Sequence, residues 1–585
     1  MLSYRKLAMR VLGRPLHTGR GIDSPRPASQ RAAAFVLTAA MLITLTAPAF
    51  AETWYIENGD ITVKASGTEG KNTVSQGDKK DVEDTNTIIT NQKTDKASSN
   101  TVTINAGNDK VEVTLDNVNI KADSGSALIS KGDVTLTLKG DNHLTGGNGG
   151  SSSYGGDGIT SSGSLTISGG TVTATGGDST SSVGSGGSGI YSVSGDVTIS
   201  GGTVNANGGD GKNGSGGGSG IDSNGGVTVS GGTVTANGGD SKDGDGGSGG
   251  YGISSSGVAI SGGTVTANGG DGGSGSGSHG GNGIYSSSGV AISGGAVTAN
   301  GGDSKDGSGG NGIYSSGGVT ISSGSTVTAN GGNGEDGSGG RGITSNGGVT
   351  VSGGTVNAKG GSGKNGNGGD GIRSFNPVAI SGGTVNANGG NSDYSNGGDG
   401  IRSLDHVAIS GGTVKSNGGS GNLSGGNGII SYDIDLSGSL ELTAKAGSPN
   451  GKALSRVGSE LDLNTIKDKL DPGAKVTATD ADGKVIQQVS IPRPVEPEEP
   501  VIPEESSSSS DGGSATPSAP ASPLPGLTVT DKDGQRISYT SIRDNNVLSL
   551  RVGRFTASLH ISLAALRQLR AEGIDTITFQ TILCS

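Results

Sequence analysis

Gly189-Ile-Tyr-Ser-Val-Ser-Gly-Asp-Val-Thr-Ile-Ser-Gly-Gly-Thr-Val-Asn-Ala-Asn-Gly-Gly-Asp210 is one copy of a phrase that the chain repeats many times. Its Gly-Ile pair recurs at Ile159, Ile190, Ile221, Ile253, Ile284, Ile313, Ile343, Ile372, Ile401 and Ile429, a spacing of about thirty residues, inside the range that marks solenoids. Each copy holds three strand-like pieces, Gly-Ile-x-Ser, Val-x-Ile-Ser and Thr-Val-x-Ala-Asn, separated by Gly-Gly or Ser-Gly corners. Side chains alternate across a strand, so Ile190, Val197, Ile199, Val204 and Ala206 can all point inward while Tyr191, Thr198, Thr203 and Asn205 point out. The pattern predicts an all-β fold in which each copy is one rung of a parallel β-helix. Corner glycines are expected to supply positive φ values for the bends.

With 119 glycines in 585 residues and only 3% aromatics, composition alone would suggest disorder, because little apolar surface is available to offset chain entropy. The strict period argues the other way: stacked rungs bury one Ile/Val set against the next, each side chain contributing about 1.5–3 kcal/mol when fully buried.

The chain opens with a basic region (Arg5 to Arg31), an apolar run from Ala32 to Ala47, and Ala49-Phe50-Ala51. This predicts a secretory signal over residues 1–51, cut before Glu52; a retained membrane anchor is the alternative, although the run is short for a span. No second spanning candidate follows. Removing residues 1–51 takes away seven basic residues and one acid, so the net charge falls from −12 to −18 and nucleic acid is excluded as an expected partner. The only cysteine, Cys584, admits no intrachain disulfide and leaves pairing with another chain open.

Taken in order, Thr53 to Ser66 predicts a hairpin around Asn58-Gly59, and the polar stretch through Asn100 a surface excursion. Thr101 to Asn105 and Val111 to Ile120 predict strands, and Ala127 to Gly147 is a worn copy of the repeat. The β-helix is expected to run over 52–491, closed by the segment Leu461 to Leu470 and a hairpin from Val476 to Ile491 around Asp482-Gly483. A Pro/Glu/Ser-rich linker over 492–525 and a small α+β domain over 526–585 follow. That domain has a helix capped by Ser562, with Leu563, Leu566 and Leu569 on one face.

Two sets of residues could carry function. Asp178, Asp210, Asp240, Asp271 and Asp303 follow the third strand in five successive copies, with Asp243 and Asp306 in the same loops. Carboxylates repeating every rung, about 4.8 Å apart, repel one another and invite a cation, and oxygen-rich loops suit calcium; alternatively these side chains cap turns through backbone N–H groups. Gly331 to Asp336 matches only the start of a calcium β-roll repeat, and no Gly-Lys pair is followed by the Ser or Thr of a phosphate loop.

The second set is the outward residue after Gly-Ile. Tyr285 and Tyr314 fall on neighbouring rungs, as do Arg373 and Arg402, each arginine following an aspartate (Asp370, Asp399) that joins the calcium candidates; Tyr191 stands earlier in the row. Aromatics beside arginines could hold a sugar ring and an acidic sugar's carboxylate; equally, such a row could only stabilise an exposed sheet. A ladder of outward threonines (Thr233, Thr264, Thr326) could order water or meet a glycan, and it is interrupted by Asn205, Asn357, Asn386 and Lys415.

Val113-Thr-Leu-Asp-Asn-Val-Asn-Ile120, Ser126-Ala-Leu-Ile129, Val134-Thr-Leu-Thr-Leu138 and Gly140-Asp-Asn-His-Leu-Thr-Gly146, with the copies that follow, resemble a family of secreted bacterial carbohydrate-binding domain-containing proteins. The resemblance covers about Thr53 to Ile491. It implies a right-handed parallel β-helix shaped like the pectate lyases, calcium at loops, and binding of plant cell-wall polysaccharide, acidic or cellulosic. The leading expectation is a secreted, non-catalytic polysaccharide-binding protein. A structural or adhesive surface protein, attached to a cell-surface partner through 526–585, is second. A polysaccharide lyase is third.

Overall fold

The computed structural model describes residues 52–493 apart from 69, 151–153, 181–183, 213, 243–245, 276 and 457, and residues 527–581 apart from 531–538, 545, 553–556 and 575. The expected signal segment, nearly all of the expected linker, Asp243 and Cys584 lie outside the described residues. Two compact units separate, Met1–Val495 and Glu496–Ser585.

The first unit is a right-handed parallel β-helix. Strand register carries one inward position through fourteen turns: Ile61, Val102, Leu128, Ile159, Ile190, Ile221, Ile253, Ile284, Ile313, Ile343, Ile372, Ile401, Ile429 and Leu454. In the opening copy the three sides are Ile190–Ser194, Val197–Ile199 and Thr203–Asn207, and Ile190, Val197, Ile199, Val204 and Ala206 are all buried. Alternation therefore works as predicted, and the rungs repeat this set with few replacements, such as buried Asn142 and Ser416, in one continuous core.

Glycine has two distinct jobs. At the corner before the third side the predicted left-handed backbone is present, with Gly202 and Gly232 both at φ +79°. A larger set does something else. After the third side the chain leaves the barrel in a tongue, whose two ends meet as paired glycine files: Gly218 N–H donates to Gly209 O (2.8 Å), Gly239 N–H to Gly218 O (2.8 Å), and Gly250 N–H to Gly239 O (2.9 Å). The zigzag continues to Gly447, whose N–H donates to Gly426 O at 2.8 Å. A Cβ on Gly250 would sit 1.9 Å from Gly218 O. The requirement in this seam is contact distance, not a special φ.

At the N-terminal end the expected hairpin does not form. Thr53–Tyr55 lies parallel to Ile88–Thr90, a short 3-10 turn spans Ile56–Asn58, and Ile61–Ala65 pairs antiparallel with Asn72–Gln76. The stretch read as a surface excursion is a cap. Its alternation was masked by polar residues, yet it buries Val74 and Ile89 beside Trp54 and Ile56, and Trp54 Nε1 donates to Asp84 Oδ2 at 2.8 Å. At the other end the 3-10 turn Leu463–Lys469 and the antiparallel pair Lys475–Thr479 and Val485–Ser490 close the barrel over Leu463, Ile466, Val476 and Val489.

In the second unit Leu527–Thr530 pairs antiparallel with Ser558–Ile561, and Val547–Val552 lies between Thr540–Asp544 and Thr576–Thr581. Ser562 caps the helix Leu563–Ala571 by accepting from Ala565 N–H. Of the predicted leucines Leu569 is buried and Leu566 is exposed, and Ala565 is buried beside Leu569 in place of Leu566. Among the described residues no helix is long and apolar enough to cross a membrane.

Candidate functional site

The Gly-Ile side carries two neighbouring files. Register places Thr160, Tyr191, Asp222, Ser254, Tyr285, Tyr314, Thr344, Arg373, Arg402 and Ile430 in one outward file. The residue before each Gly-Ile forms the second, and there side-chain oxygens accept from the backbone of the next rung: Asn282 Oδ1 from Asn311 N–H (2.7 Å), Asn311 Oδ1 from Arg341 N–H (3.0 Å), Asp370 Oδ1 from Asp399 N–H (2.9 Å), Asp399 Oδ1 from Asn427 N–H (2.6 Å).

Tyr251, from the second file, stacks on Tyr285 with ring centroids 5.2 Å apart, and Tyr285 on Tyr314 at 5.5 Å, with interplanar angles of 12° and 5°. The predicted pair is thus a triple. Because the rings face one another along the axis, a ligand approaching this side meets edges and hydroxyls more than open π-faces. Tyr191 lies three rungs away from Tyr285 and takes no part in the stack.

Next along the axis stand three arginines around two buried aspartates. Asp370 Oδ2 is 3.5 Å from Arg341 Nε and 3.6 Å from Arg373 Nη1, and Asp399 Oδ2 is 3.2 Å from Arg402 Nη1. The side chains of Arg341, Arg373 and Arg402 are 36%, 22% and 37% exposed against 9% and 6% for the two aspartates, so the solvent face of the cluster is guanidinium. Arg373 Nε and Arg402 Nε are buried and lack hydrogen-bond partners, leaving donor capacity unused. Burial and then the charge of Arg341 lower the Arg373 pKa, opposed by Asp370; burial, reinforced by Asp370, raises that of Asp399.

An apolar corner adjoins the arginines. Phe375 N–H donates to Ser345 O and Leu404 N–H to Ser374 O, both at 3.0 Å, which sets Phe375 and Leu404 on successive rungs. Tyr432 follows on the next. Phe375 is 45% and Tyr432 64% exposed, the Arg373 guanidinium lies 5.3 Å from the Phe375 ring centre, and Arg402, Leu404, Ile430 and Tyr432 line a groove of about 180 Å³. Tyr251, Arg341 and this corner escaped the sequence reading, which followed only the residue after Gly-Ile. The position before that pair held the signal for the first two.

The tongue aspartates do come together. Asp178 Oδ1 accepts from Asp210 N–H (3.0 Å), Asp210 from Asp240 (3.0 Å), Asp240 from Asp271 (2.9 Å), Asp271 from Asp303 (2.8 Å), and Asp303 from Asn333 N–H (2.6 Å). Asn148 precedes the file in the same role, and Asn333 continues it by accepting from Ser362 N–H at 2.9 Å. A neutral amide therefore does the same work as the carboxylates. Asp306 accepts from Gly275 N–H at 2.5 Å, Lys242 pairs with Asp210, and among the described residues no three Asp, Glu, His or Cys side chains converge as a metal site. Asp271, Asp303, Lys305, Glu335 and Lys364 line a groove of about 610 Å³ along these tongues.

Fold and surface together define a parallel β-helix protein, an architecture that suits polysaccharide-related and adhesive proteins and occurs in enzymes and non-enzymes. A family model described as Beta helix repeat matches residues 165–189, 197–219, 258–282 and 378–401. No curated protein and no solved structure matches the chain.

Proposed function

We propose that the protein is a secreted, non-catalytic polysaccharide-binding β-helix that holds a plant cell-wall type of chain, acidic or cellulosic, lengthwise along the Gly-Ile side. One observation carries the reading: along the Gly-Ile side successive rungs present stacked tyrosines and then three guanidiniums, and the apolar corner of Phe375, Leu404 and Tyr432 flanks the arginines. A glycan needs such a mixture, apolar surface for the ring C–H faces and fixed polar groups for hydroxyls or carboxylates. Rungs about 4.8 Å apart suit an extended polymer better than a compact small molecule.

The full chain should be retained on insoluble cellulose or pectin, Tyr432→Ala should release it without lowering the thermal midpoint, and Arg402→Gln should release it as well. Retention on neither material would sink the glycan reading. That result would favour the second reading, an adhesive surface protein with the array as spacer, which the separate core of residues 527–581 supports. The same incubation on pectin tests a lyase: release of unsaturated uronides, read by ultraviolet absorbance, would replace binding with catalysis.

A further inference from the structure

The tongues bound two grooves of opposite chemistry. Along their outgoing limbs, Asp271, Asp303, Glu335 and Asp393 line the groove of about 610 Å³. Along their returning limbs a second groove, of about 390 Å³, separates the tongues from the file before Gly-Ile, and no acid lines it. One wall is Tyr251, Asn282, Asn311 and Arg341; the other is Ser248, His279, Ser308 and Ser338. The floor between them is glycine. A Cβ on Gly249, Gly280, Gly309 or Gly339 would lie 1.8–2.0 Å from a backbone carbonyl across the seam, so these positions stay glycine and the floor stays bare. Four rungs about 4.8 Å apart make this trough roughly 14 Å long.

The backbone pairing that builds the walls also decides their polarity. Ser248 Oγ accepts from His279 N–H at 3.2 Å, His279 Nδ1 from Ser308 N–H at 3.1 Å, and Ser308 Oγ from Ser338 N–H at 3.3 Å. Across the trough, Asn282 Oδ1 and Asn311 Oδ1 accept from the rung that follows each. The scaffold thus consumes wall acceptors and leaves donors for a ligand. With Nδ1 accepting, the neutral His279 imidazole carries its proton on Nε2. Asn282 Nδ2 donates to nothing among the described residues, and the Arg341 guanidinium stands 36% exposed beside buried Asp370. Donors in excess, a fixed cation and no acid, on a chain of net charge −12, fit an acceptor-rich, negatively charged ligand. Hydroxyls of a neutral glycan must donate as well as accept, and these walls hold few free acceptors for them.

We propose, resting on the polysaccharide reading above, that this trough seats a single polyanionic glycan chain lying along the axis, its carboxylate or sulfate groups meeting Arg341, His279 Nε2 and Asn282 Nδ2. Isothermal titration calorimetry of the full chain with soluble polygalacturonate, dextran sulfate and neutral hydroxyethylcellulose tests this. The anionic polymers should bind and the neutral one should not, and the tighter of the two identifies carboxylate or sulfate as the group read. Asp370 and Asp399 show that a carboxylate can fill the ladder position of Asn282, so Asn282→Asp keeps the fold while turning a donor into an anion. Its Kd for the polyanion should rise about tenfold or more, as should that of Ser308→Asp. Asn333→Asp adds the same charge on an outgoing limb, where Asp303 precedes it in the file, and should change the Kd by less than about twofold in roughly 0.15 M salt. An unchanged thermal midpoint in each variant separates lost binding from lost folding. Preference for the neutral polymer, or polyanion binding untouched by Asn282→Asp and Ser308→Asp, would overturn the trough and leave polysaccharide binding standing. Binding of none of the three, with no retention on cellulose or pectin, would overturn both.

Discussion

The tongue file and the Gly-Ile side are built with one device, an Asp or Asn side chain accepting from the backbone of the next rung, yet only the Gly-Ile side stacks tyrosines and guanidiniums over it. On the tongues, Asn148, Asp178 and Asn333 occupy equivalent roles, so the carboxylate is a scaffold group that happens to be charged. On the Gly-Ile side, Asp370 and Asp399 hold the next rung in the same way and also seat Arg341, Arg373 and Arg402. A periodic acid in a solenoid is thus a structural element first. What is stacked over it decides whether it also serves a site.

Both files hang from the glycine seam, and breaking it should have the largest effect. Gly250→Ala places a methyl 1.9 Å from a backbone carbonyl that cannot step aside, whereas Gly257→Ala meets nothing nearer than 3.9 Å. Overpacking of the first kind costs about 1–3 kcal/mol or more. A denaturant melt should show that loss for Gly250→Ala and a change within about 0.5 kcal/mol for Gly257→Ala. Equal stability of the two variants would mean that the seam does not hold the tongues.

Acidity should separate the two files next. Burial raises the carboxyl pKa of Asp157, Asp222 and Asp399 on the Gly-Ile side, and on the tongues that of Asp271. A raised carboxyl binds its proton more tightly folded than unfolded, so its contribution to stability is full below the ordinary carboxylate range and is lost as pH rises through the raised value. Glu57 opposes this: burial, the largest single influence, pushes its pKa up, but hydrogen bonds from the backbone of Lys93, Gln92 and Glu57 and from the Asn91 side chain together lower it. Moving from pH 7 toward pH 4.5 should therefore raise the thermal midpoint, and Asp222→Asn should flatten the rise more than Asp240→Asn does. A midpoint that falls steadily over this range would remove the assignment.

Much of this architecture is legible in the sequence because Ile190, Val197, Ile199, Val204 and Ala206 are spaced by strand alternation and repeat with little change. The N-terminal cap was not, since Trp54, Val74 and Ile89 meet only through long-range pairing among polar neighbours. The seam was hidden for another reason: a glycine needed for close approach looks the same as one needed for φ. On the Gly-Ile side Tyr285, Tyr314, Arg373 and Arg402 were readable as neighbours from their common place after Gly-Ile. Tyr251 and Arg341 reach the same surface from across a glycine, and no single-file reading places them there.

The smallest effect, and the sharpest division between scaffold and cation binding, is expected at Asp240. Its Oδ1 accepts from Asp271 N–H, a bond an amide can replace. Asp240→Asn should leave stability unchanged, and Asp240→Ala should cost about 1 kcal/mol by orphaning one donor. Calcium, retained here as a proposal, inverts the ranking. If neighbouring Asp210, Asp240 and Asp271 carboxylates share an ion through oxygens not used by the backbone, millimolar calcium should raise the midpoint of the native chain, and Asn should abolish that rise as completely as Ala. A midpoint indifferent to calcium, with Asn equal to Asp, would assign the file wholly to the backbone and leave the arginine cluster as the one charged group proposed to meet a ligand.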